Sequence, residues 1–155
     1  MSLTIPGYKT VDIQNVLFDY NGTLASGGRV SASLKQKLSQ TAARYRTFVI
    51  TADTFGTVAE ELAGTGVEVT VLQSGDHTAE KAAFLQTLGA QHTAALGNGN
   101  NDREMLTTAG LSIALIGDEG CAVQTMLAAD IVCSDIGDAM DLLLDEKRLI
   151  ATLRR

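Results

Sequence analysis

The sequence predicts a three-layer, doubly wound (Rossmann-like) α/β fold, with helices on both faces of a mainly parallel sheet. Two observations predict it. Short apolar runs rich in β-branched residues alternate with longer amphipathic segments, the pattern of repeated βαβ units. Turn and cap residues, among them many of the 15 glycines, separate these runs. The 155 residues are 45% hydrophobic and 19% charged, a globular composition that suits one domain over residues 1–155.

Each predicted strand is a short apolar run bounded by turn residues, and each predicted helix repeats apolar residues at helical spacing. The first strand is NVLFD at 15–19, and the helix at 31–45 carries Leu34, Leu38 and Ala42 on one face. The remaining strands are predicted at 46–51, 67–72, 92–99, 111–116 and 130–134. The remaining helices are predicted at 54–64, 78–89, 102–110, 121–129 and 135–153. Residues 4–14 are a candidate edge hairpin.

The charge balance and the two cysteines exclude several classes of function. A net charge of −6 and a pI near 4.8 argue against nucleic acid or an anionic membrane as a partner. Cys121 and Cys133 form no CxxC pair and have no histidine at ligand spacing, so we expect them to pack as small apolar residues in a reducing cytosol. No secretory signal is visible, and no run approaches the ~20 apolar residues of a membrane span. We therefore expect a cytoplasmic protein with no membrane partner.

Candidate chemical groups follow the predicted strands. Asp19 ends the first strand, Thr51 ends the second, and the turn GNGNND at 97–102 follows the fourth. Lys81 lies near the start of the helix that leads to the fourth strand. Because ligands of open α/β sheets bind beyond the carboxyl ends of the strands, we expect these groups to converge.

Each of these residues has a simpler interpretation alone. An aspartate after a strand is commonly a turn or cap residue, a threonine there is a common β-former, and a helical lysine is usually solvated. Lys81, however, is the only Lys or Arg between Arg46 and Arg103, so no neighbour in sequence could replace it as a phosphate partner. A carboxylate, a hydroxyl, a lysine and a glycine-rich acidic loop together favour phosphoryl transfer through an aspartyl phosphate.

These motifs resemble the haloacid dehalogenase superfamily of phosphotransferases. Its first motif, Asp-x-Asp-Gly-Thr, is matched by DYNGT at 19–23 except at Asn21. Its second motif, a Ser or Thr after the second strand, is matched by Thr51, and its third, a Lys, by Lys81. Its fourth, Gly-Asp-Gly-x-x-Asp, is matched by GNGNND except at Asn98.

Within that superfamily the sequence is most similar to the phosphorylation domain of P-type ATPases. The similar segments are TAD at 51–53, the stretch 97–115 and AADIVCSDI at 128–136. The segment 24–50 is too short for an inserted nucleotide-binding domain, so the resemblance is to a small soluble relative of that domain. No gap between the motifs is long enough for a cap domain, which implies a capless core.

The resemblance implies a role for each matched position. Asp19 would attack phosphorus and carry the phosphoryl group, while the Thr51 hydroxyl would hydrogen-bond a phosphoryl oxygen and Lys81 would offset its charge. Mg²⁺ would be bound by Asp19, by the main-chain carbonyl of Asn21, and by fourth-motif side chains, Asn98 or Asp102. The phosphate-binding positions implied by the same resemblance are Asn21, Gly22, Thr51, Ala52 and Lys81. Asp53 is a further candidate acid near the site.

Two departures from the motifs bear on activity. The second Asp of the first motif is the general acid/base of the superfamily's phosphatases, and Asn21 cannot accept a proton. Because general acid–base help is worth ~10²–10⁴-fold, we expect slow release of the phosphoryl group. Asn98 offers Mg²⁺ an amide oxygen without the charge of a carboxylate, so weak metal binding is also expected.

Three functions remain open at the level of sequence. The first is a Mg²⁺-dependent phosphatase that acts on a phosphorylated small molecule or, as capless relatives often do, on a phosphoprotein. Assembly into a homo-oligomer would be a second way of completing the wall of the site. The second is an impaired regulatory or binding domain that keeps the phosphate cradle. The third, nucleotide binding, has little support because GNGNND is not GxGxxG. The segment 24–30 is either a small flap over the site or a plain loop.

Overall fold

The computed structural model describes residues 1–53 and 56–155. The chain begins with a hairpin of two short strands, β1 (Ser2–Thr4) and β2 (Thr10–Asp12), which pair antiparallel. This hairpin starts two residues earlier than predicted and forms a separate two-stranded sheet instead of an edge of the main one. Its apolar side chains Ile5 and Val11 are buried in the core, which explains why it leaves the sheet edge.

The main sheet consists of parallel strands in the order β5-β4-β3-β6-β7-β8. The strands are β3 (Asn15–Asp19), β4 (Arg46–Thr51), β5 (Glu68–Val71), β6 (Thr93–Gly97), β7 (Leu111–Leu115) and β8 (Ile131–Cys133). The helices are α1 (Ala32–Arg44), α2 (Thr57–Glu61), α3 (His77–Leu88), α4 (Arg103–Thr108), α5 (Val123–Ala128), α6 (Ile136–Leu144) and α7 (Glu146–Leu153). The three-layer α/β prediction is confirmed.

Three helices differ in an informative way from the sequence prediction. The segment predicted as one helix at 135–153 is divided at Asp145, whose carboxylate accepts the Lys147 N–H and so caps α7. The helix predicted at 102–110 is preceded by a 3₁₀ turn at Asn100–Asp102. The predicted helix 54–64 is observed over Thr57–Glu61, and its first two positions lie outside the described residues.

The core has two halves, one on each face of the sheet. Side chains of a strand point alternately to opposite faces, so Val16 and Phe18 of β3 pack in one half with α1 and α6, whereas Leu17 packs in the other with α3 and α4. All five residues of β3 are buried. The strand that ends at Asp19 is therefore held from both faces.

The strand order creates a crevice where the chemical groups were predicted. From β3 the chain adds β4 and β5 on one side and then crosses to add β6, β7 and β8 on the other. In register, Phe18 lies beside Val49 of β4 and Leu96 of β6, so these three strands end at the same level. The loops after β3 and β6 diverge at this switch point, which is the usual ligand-binding position of such sheets.

Within the described part of the chain no helix has the length and apolar character of a membrane span.

Candidate active site

Polar side chains are buried at the carboxyl edge of the central strands. Asp19 ends β3, Thr51 ends β4, and Asn98 follows β6; they are 8%, 2% and 7% exposed. Lys81 reaches the same edge from α3 and is 2% exposed. Burial of so many polar groups is costly unless they satisfy one another, so their partners define the site.

Lys81 joins the first and fourth motifs. Its Nζ lies 2.7 Å from Asp19 Oδ1 and 2.7 Å from Asp102 Oδ1, and it donates a longer bond of 3.3 Å to Asn101 Oδ1. One ammonium group is thus shared by two buried carboxylates, which leaves a net negative charge in a low-dielectric environment.

The loop after β6 is closed by the other oxygen of Asp102. Asp102 Oδ2 accepts the N–H groups of Asn98 and Gly99 at 3.0 and 2.9 Å. A Cβ on Gly97 would lie 2.5 Å from Asp102 Cγ, so this turn requires glycine at its start. Asp102 is 0% exposed and both of its oxygens accept hydrogen bonds within the site, while metal binding by Asp102 stays a prediction. It is the anchor of Lys81 and of the loop.

The charge imbalance shifts the titration of both partners. Burial, with the nearby Asp102 carboxylate, raises the pKa of Asp19 to about 6 against the opposing effect of Lys81. Burial opposes the charged form of Lys81, but Asp19 and Asp102 together outweigh it and raise the pKa of Lys81. Lys81 therefore stays protonated as a fixed countercharge.

Thr23 is a site residue that the motif comparison did not single out. Its hydroxyl lies 3.1 Å from Asn98 Oδ1 and 3.4 Å from Asp19 Oδ2, so it ties the first motif to the fourth. Its place in DYNGT, four residues after Asp19, could have identified it, because the turn brings the Thr23 hydroxyl back to the Asp19 carboxylate.

The two backbone N–H groups predicted to cradle phosphate differ in their hydrogen bonds. The Gly22 N–H donates to the Ala25 carbonyl at 3.1 Å, so the flap, not a phosphate, takes that donor. The Asn21 N–H donates to no group in the described part of the chain and remains available. Asp53, the further candidate acid, does not line the cavity that Asp19 and Lys81 share; its Oδ2 accepts the Thr57 hydroxyl at 2.6 Å and the Val58 N–H at 3.1 Å in the first turn of α2.

These groups surround a cavity of about 240 Å³. Its lining includes the predicted residues Asp19, Asn21, Thr51, Ala52, Lys81 and Asn98, which the fold therefore brings together. It also includes His77, Asn101 and Glu119, which the sequence analysis did not identify. We call this space the phosphate cavity.

The segment 24–30 forms a small hairpin, which we call the flap, and its residues line a second cavity instead of the phosphate cavity. Ser26 and Arg29 pair as an antiparallel bridge, and the Tyr20 hydroxyl donates to the Gly28 carbonyl at 3.0 Å. The Ser26 hydroxyl donates to Asp118 Oδ2 at 2.5 Å, which fixes this flap to the turn after β7. A second cavity of about 500 Å³ lies between the flap, the 117–119 turn and residues 134–136.

The oxygen donors of the site are of the kind that Mg²⁺ prefers. Asp19 contacts Lys81 through Oδ1, which leaves Oδ2 with a long bond from Thr23, and the Asn21 carbonyl accepts no hydrogen bond within the described chain. A Cβ on Gly22 would lie 3.1 Å from Asn98 Oδ1, so the glycine keeps space clear beside that donor. In residues 1–53 and 56–155 no three His, Cys, Asp or Glu side chains are arranged to hold a metal. The fit therefore depends on carbonyl and amide oxygens together with Asp19.

Comparison with protein families and curated proteins gives limited sequence similarity. No family model matches the chain. An uncharacterized protein of Methanocaldococcus jannaschii is 58% identical over 60 residues, which cover 39% of this chain and 64% of that relative. The match therefore spans less than two thirds of the relative.

Comparison with solved structures is more informative about the fold. The chain is similar to a 3-deoxy-D-manno-octulosonate 8-phosphate phosphatase of Moraxella catarrhalis, solved in complex with a magnesium ion, a phosphate ion and KDO, at a TM-score of 0.67 and 18% identity over 92% of this chain and 94% of that one. The cobalt-bound phosphatase YrbI of Haemophilus influenzae gives a TM-score of 0.67 and 19% identity over 86% and 88%. The catalytic domain of the CPx-ATPase CopB-B gives 0.55 and 20% over 72% and 44%. The chain has the haloacid dehalogenase-like fold.

Proposed function

We propose that this chain is a Mg²⁺-dependent phosphatase that captures a phosphoryl group on Asp19 and releases it slowly. One observation carries the proposal: the Asp19 carboxylate and the Lys81 ammonium lie 2.7 Å apart in the lining of one cavity, whose wall also includes Thr51. A nucleophile, a fixed countercharge and a hydroxyl donor are the groups that phosphoryl transfer needs. The phosphatases of the same fold support this reaction class.

In the first step Asp19 attacks the phosphorus of the substrate. Oδ2 is the attacking oxygen, because Oδ1 is held by Lys81. The new bond joins Oδ2 to phosphorus, the bond from phosphorus to the leaving oxygen breaks, and that oxygen takes a proton from water. Lys81 stays charged and the Thr51 hydroxyl holds a phosphoryl oxygen. A bound Mg²⁺, held by the Asn21 carbonyl, Asn98 and the Asp19 oxygen that does not attack, would offset the negative charge of the carboxylate and the phosphate.

In the second step water attacks the phosphorus of the phospho-aspartate. The bond from phosphorus to Oδ2 breaks, inorganic phosphate leaves, and the proton of the attacking water passes to solvent. Asn21 is exposed at the cavity and can orient this water, but its amide cannot take the proton. Release is therefore the slow half of the reaction.

The substrate is a phosphorylated small molecule or a phosphoprotein. No cap covers the phosphate cavity within the described chain, and the flap lines the second cavity instead. The substrate itself, or a second copy of the chain, would complete the wall. The sugar phosphatases of the same fold make a small phosphate ester the first class to assay.

A regulatory or binding domain is the second candidate. It is favoured by the two amides, Asn21 and Asn98, that stand where the superfamily's motifs have acids. Such a domain would bind phosphate or a phosphorylated ligand without Asp19-dependent turnover.

Hydrolysis of p-nitrophenyl phosphate and acetyl phosphate, measured with Mg²⁺ against the Asp19→Asn variant, separates the two candidates. The phosphatase gives slow turnover and a phosphorylated protein, and both are lost in the variant. Phosphate binding without either signal would overturn the enzymatic proposal in favour of the binding domain.

A further inference from the structure

The turn after β7 brings two carboxylates toward the site. Gly117 and Gly120 pair as an antiparallel bridge, and the Gly120 N–H donates to the Gly117 carbonyl at 2.9 Å. Asp118 and Glu119 therefore occupy the tip of a tight turn. Asp118 is bonded to Ser26 of the flap, which fixes the turn in place.

Glu119 points in another direction, toward the first and fourth motifs. A Cβ on Gly22 would lie 2.7 Å from Glu119 Oε2 and 2.6 Å from Asn98 Nδ2. The Glu119 carboxylate and the Asn98 amide therefore flank the same small space beside the first-motif backbone. Glu119 also lines both the phosphate cavity and the second cavity.

Without Glu119 the site has little negative charge with which to bind a divalent cation. Asp102 is bonded to Lys81 and to two backbone N–H groups, and Asn98 is neutral, so Asp19 is the one carboxylate of the four motifs still available within the described chain. Cation affinity at oxygen sites rises with the number of charged ligands. A carboxylate beside Asn98 would restore the missing charge.

We propose that Glu119 supplies the second anionic group of the divalent-cation site, in place of the carboxylate that Asn98 lacks. This inference rests on the proposed function only in that it assumes a cation at Asp19. Because Glu119 is exposed at the tip of a turn, its side chain can adjust to a cation without moving the core. Gly22 is needed here for a second reason, since any side chain would fill the space between Glu119 and Asn98.

The test is Mg²⁺ affinity, measured by calorimetry on the full chain without substrate and checked by the electron paramagnetic resonance of bound Mn²⁺. Glu119→Gln is expected to weaken binding about 10–100-fold, the range seen when groups supporting a metal site are removed. Asp118→Asn is the matched control: it loses the same charge one residue away, its amide oxygen can still accept the Ser26 hydroxyl that fixes the turn, and it should bind Mg²⁺ as the parent does. Circular dichroism confirms that each variant is folded.

The double variant Glu119→Gln with Asn98→Asp makes the test specific. If Glu119 replaces the carboxylate at 98, Asn98→Asp restores most of the lost affinity in the Glu119→Gln background. Unchanged affinity in Glu119→Gln, or equal losses in Glu119→Gln and Asp118→Asn, would overturn the inference. If Mg²⁺ binding depends on Glu119 but no phosphoryl group is transferred, the proposed function is wrong and this inference stands. If the protein becomes phosphorylated but its Mg²⁺ affinity is the same in Glu119→Gln, this inference is wrong and the proposed function stands.

Discussion

Lys81 and Asp102 form an ion pair of 2.7 Å whose side chains are 3% and 0% exposed. The same ammonium also contacts Asp19 Oδ1, so one buried cation offsets the charge of Asp19 and of the anchor of the loop after β6. Substitution of Lys81 is therefore expected to affect stability as well as the proposed reaction.

Replacing Lys81 by methionine should destabilise the chain strongly. Two buried carboxylates would lose their shared countercharge, and breaking a buried ion pair by removing one partner costs about 3–5 kcal/mol. Urea unfolding near neutral pH measures the change. Lys35→Met is the control, because the Lys35–Glu61 pair is partly exposed and its loss should cost little. Equal losses of stability in the two variants would contradict the structure of the site.

Asp19→Asn should stabilise the metal-free protein at neutral pH. The pKa of Asp19 is raised to about 6, so the folded state disfavours its ionised form. The stability that its neutral form contributes is complete below the ordinary aspartate pKa and is lost as pH rises through about 6. Asparagine does not ionise, so the variant should gain about 2–3 kcal/mol relative to the parent between pH ~4 and ~7. Urea unfolding in chelator across that range measures it, and a pH-independent difference would count against the raised pKa.

Asn21→Asp should accelerate release of the phosphoryl group without disturbing the fold. Asn21 is exposed, and a carboxylate there could take the proton of the attacking water, which is worth ~100-fold or more. Decay of the phosphorylated protein after removal of acetyl phosphate, followed by mass spectrometry, gives the rate. Asn100→Asp adds the same charge at an exposed position of the adjacent loop and should leave the decay unchanged. Equal decay rates in all three proteins would show that release is not limited at position 21.

Asp130→Asn should loosen the N-terminal hairpin from the sheet. Asp130 accepts the Tyr8 hydroxyl, the Lys9 ammonium at 2.8 Å and the Ser112 N–H at 2.9 Å. Burial opposes its ionisation, but these donors outweigh burial and lower the pKa of Asp130. Its stabilisation is therefore present above the ordinary aspartate pKa and is lost as pH falls through the lowered value. We expect a loss of about 1–3 kcal/mol near neutral pH that shrinks in acid. Asp12→Asn, at a more exposed carboxylate, is the control for this unfolding experiment.

The strands and the strand-end residues could be predicted from sequence because burial imposes a readable pattern. Residues 16–18 of β3 are buried between the two faces and are apolar, and the aspartate that ends the strand lies at the sheet edge. Asp19, Thr51 and Lys81 converge for this topological reason. The parallel arrangement of the strands made that convergence predictable even though the residues are far apart in sequence.

Hydrogen-bond assignments could not be predicted in the same way. Nothing in DYNGT shows that the Gly22 N–H is taken by Ala25, and nothing in GNGNND shows that Asp102 uses both oxygens internally. Glu119 was missed for a related reason. Its turn, GDEG, is ordinary in sequence, and only the packing of that turn beside Gly22 brings its carboxylate to the site. The residue contacts that decide function here are long-range and depend on side-chain direction.

The most direct test of the central claim is the intact mass and peptide map of the chain after incubation with acetyl phosphate and Mg²⁺. The account predicts one added phosphoryl group, stable enough to be isolated, removed by hydroxylamine as an acyl phosphate and mapped to Asp19. It predicts no such group in Asp19→Asn. Absence of the adduct in a chain that binds Mg²⁺, or its presence on another residue, would contradict the assignment of Asp19 as the nucleophile.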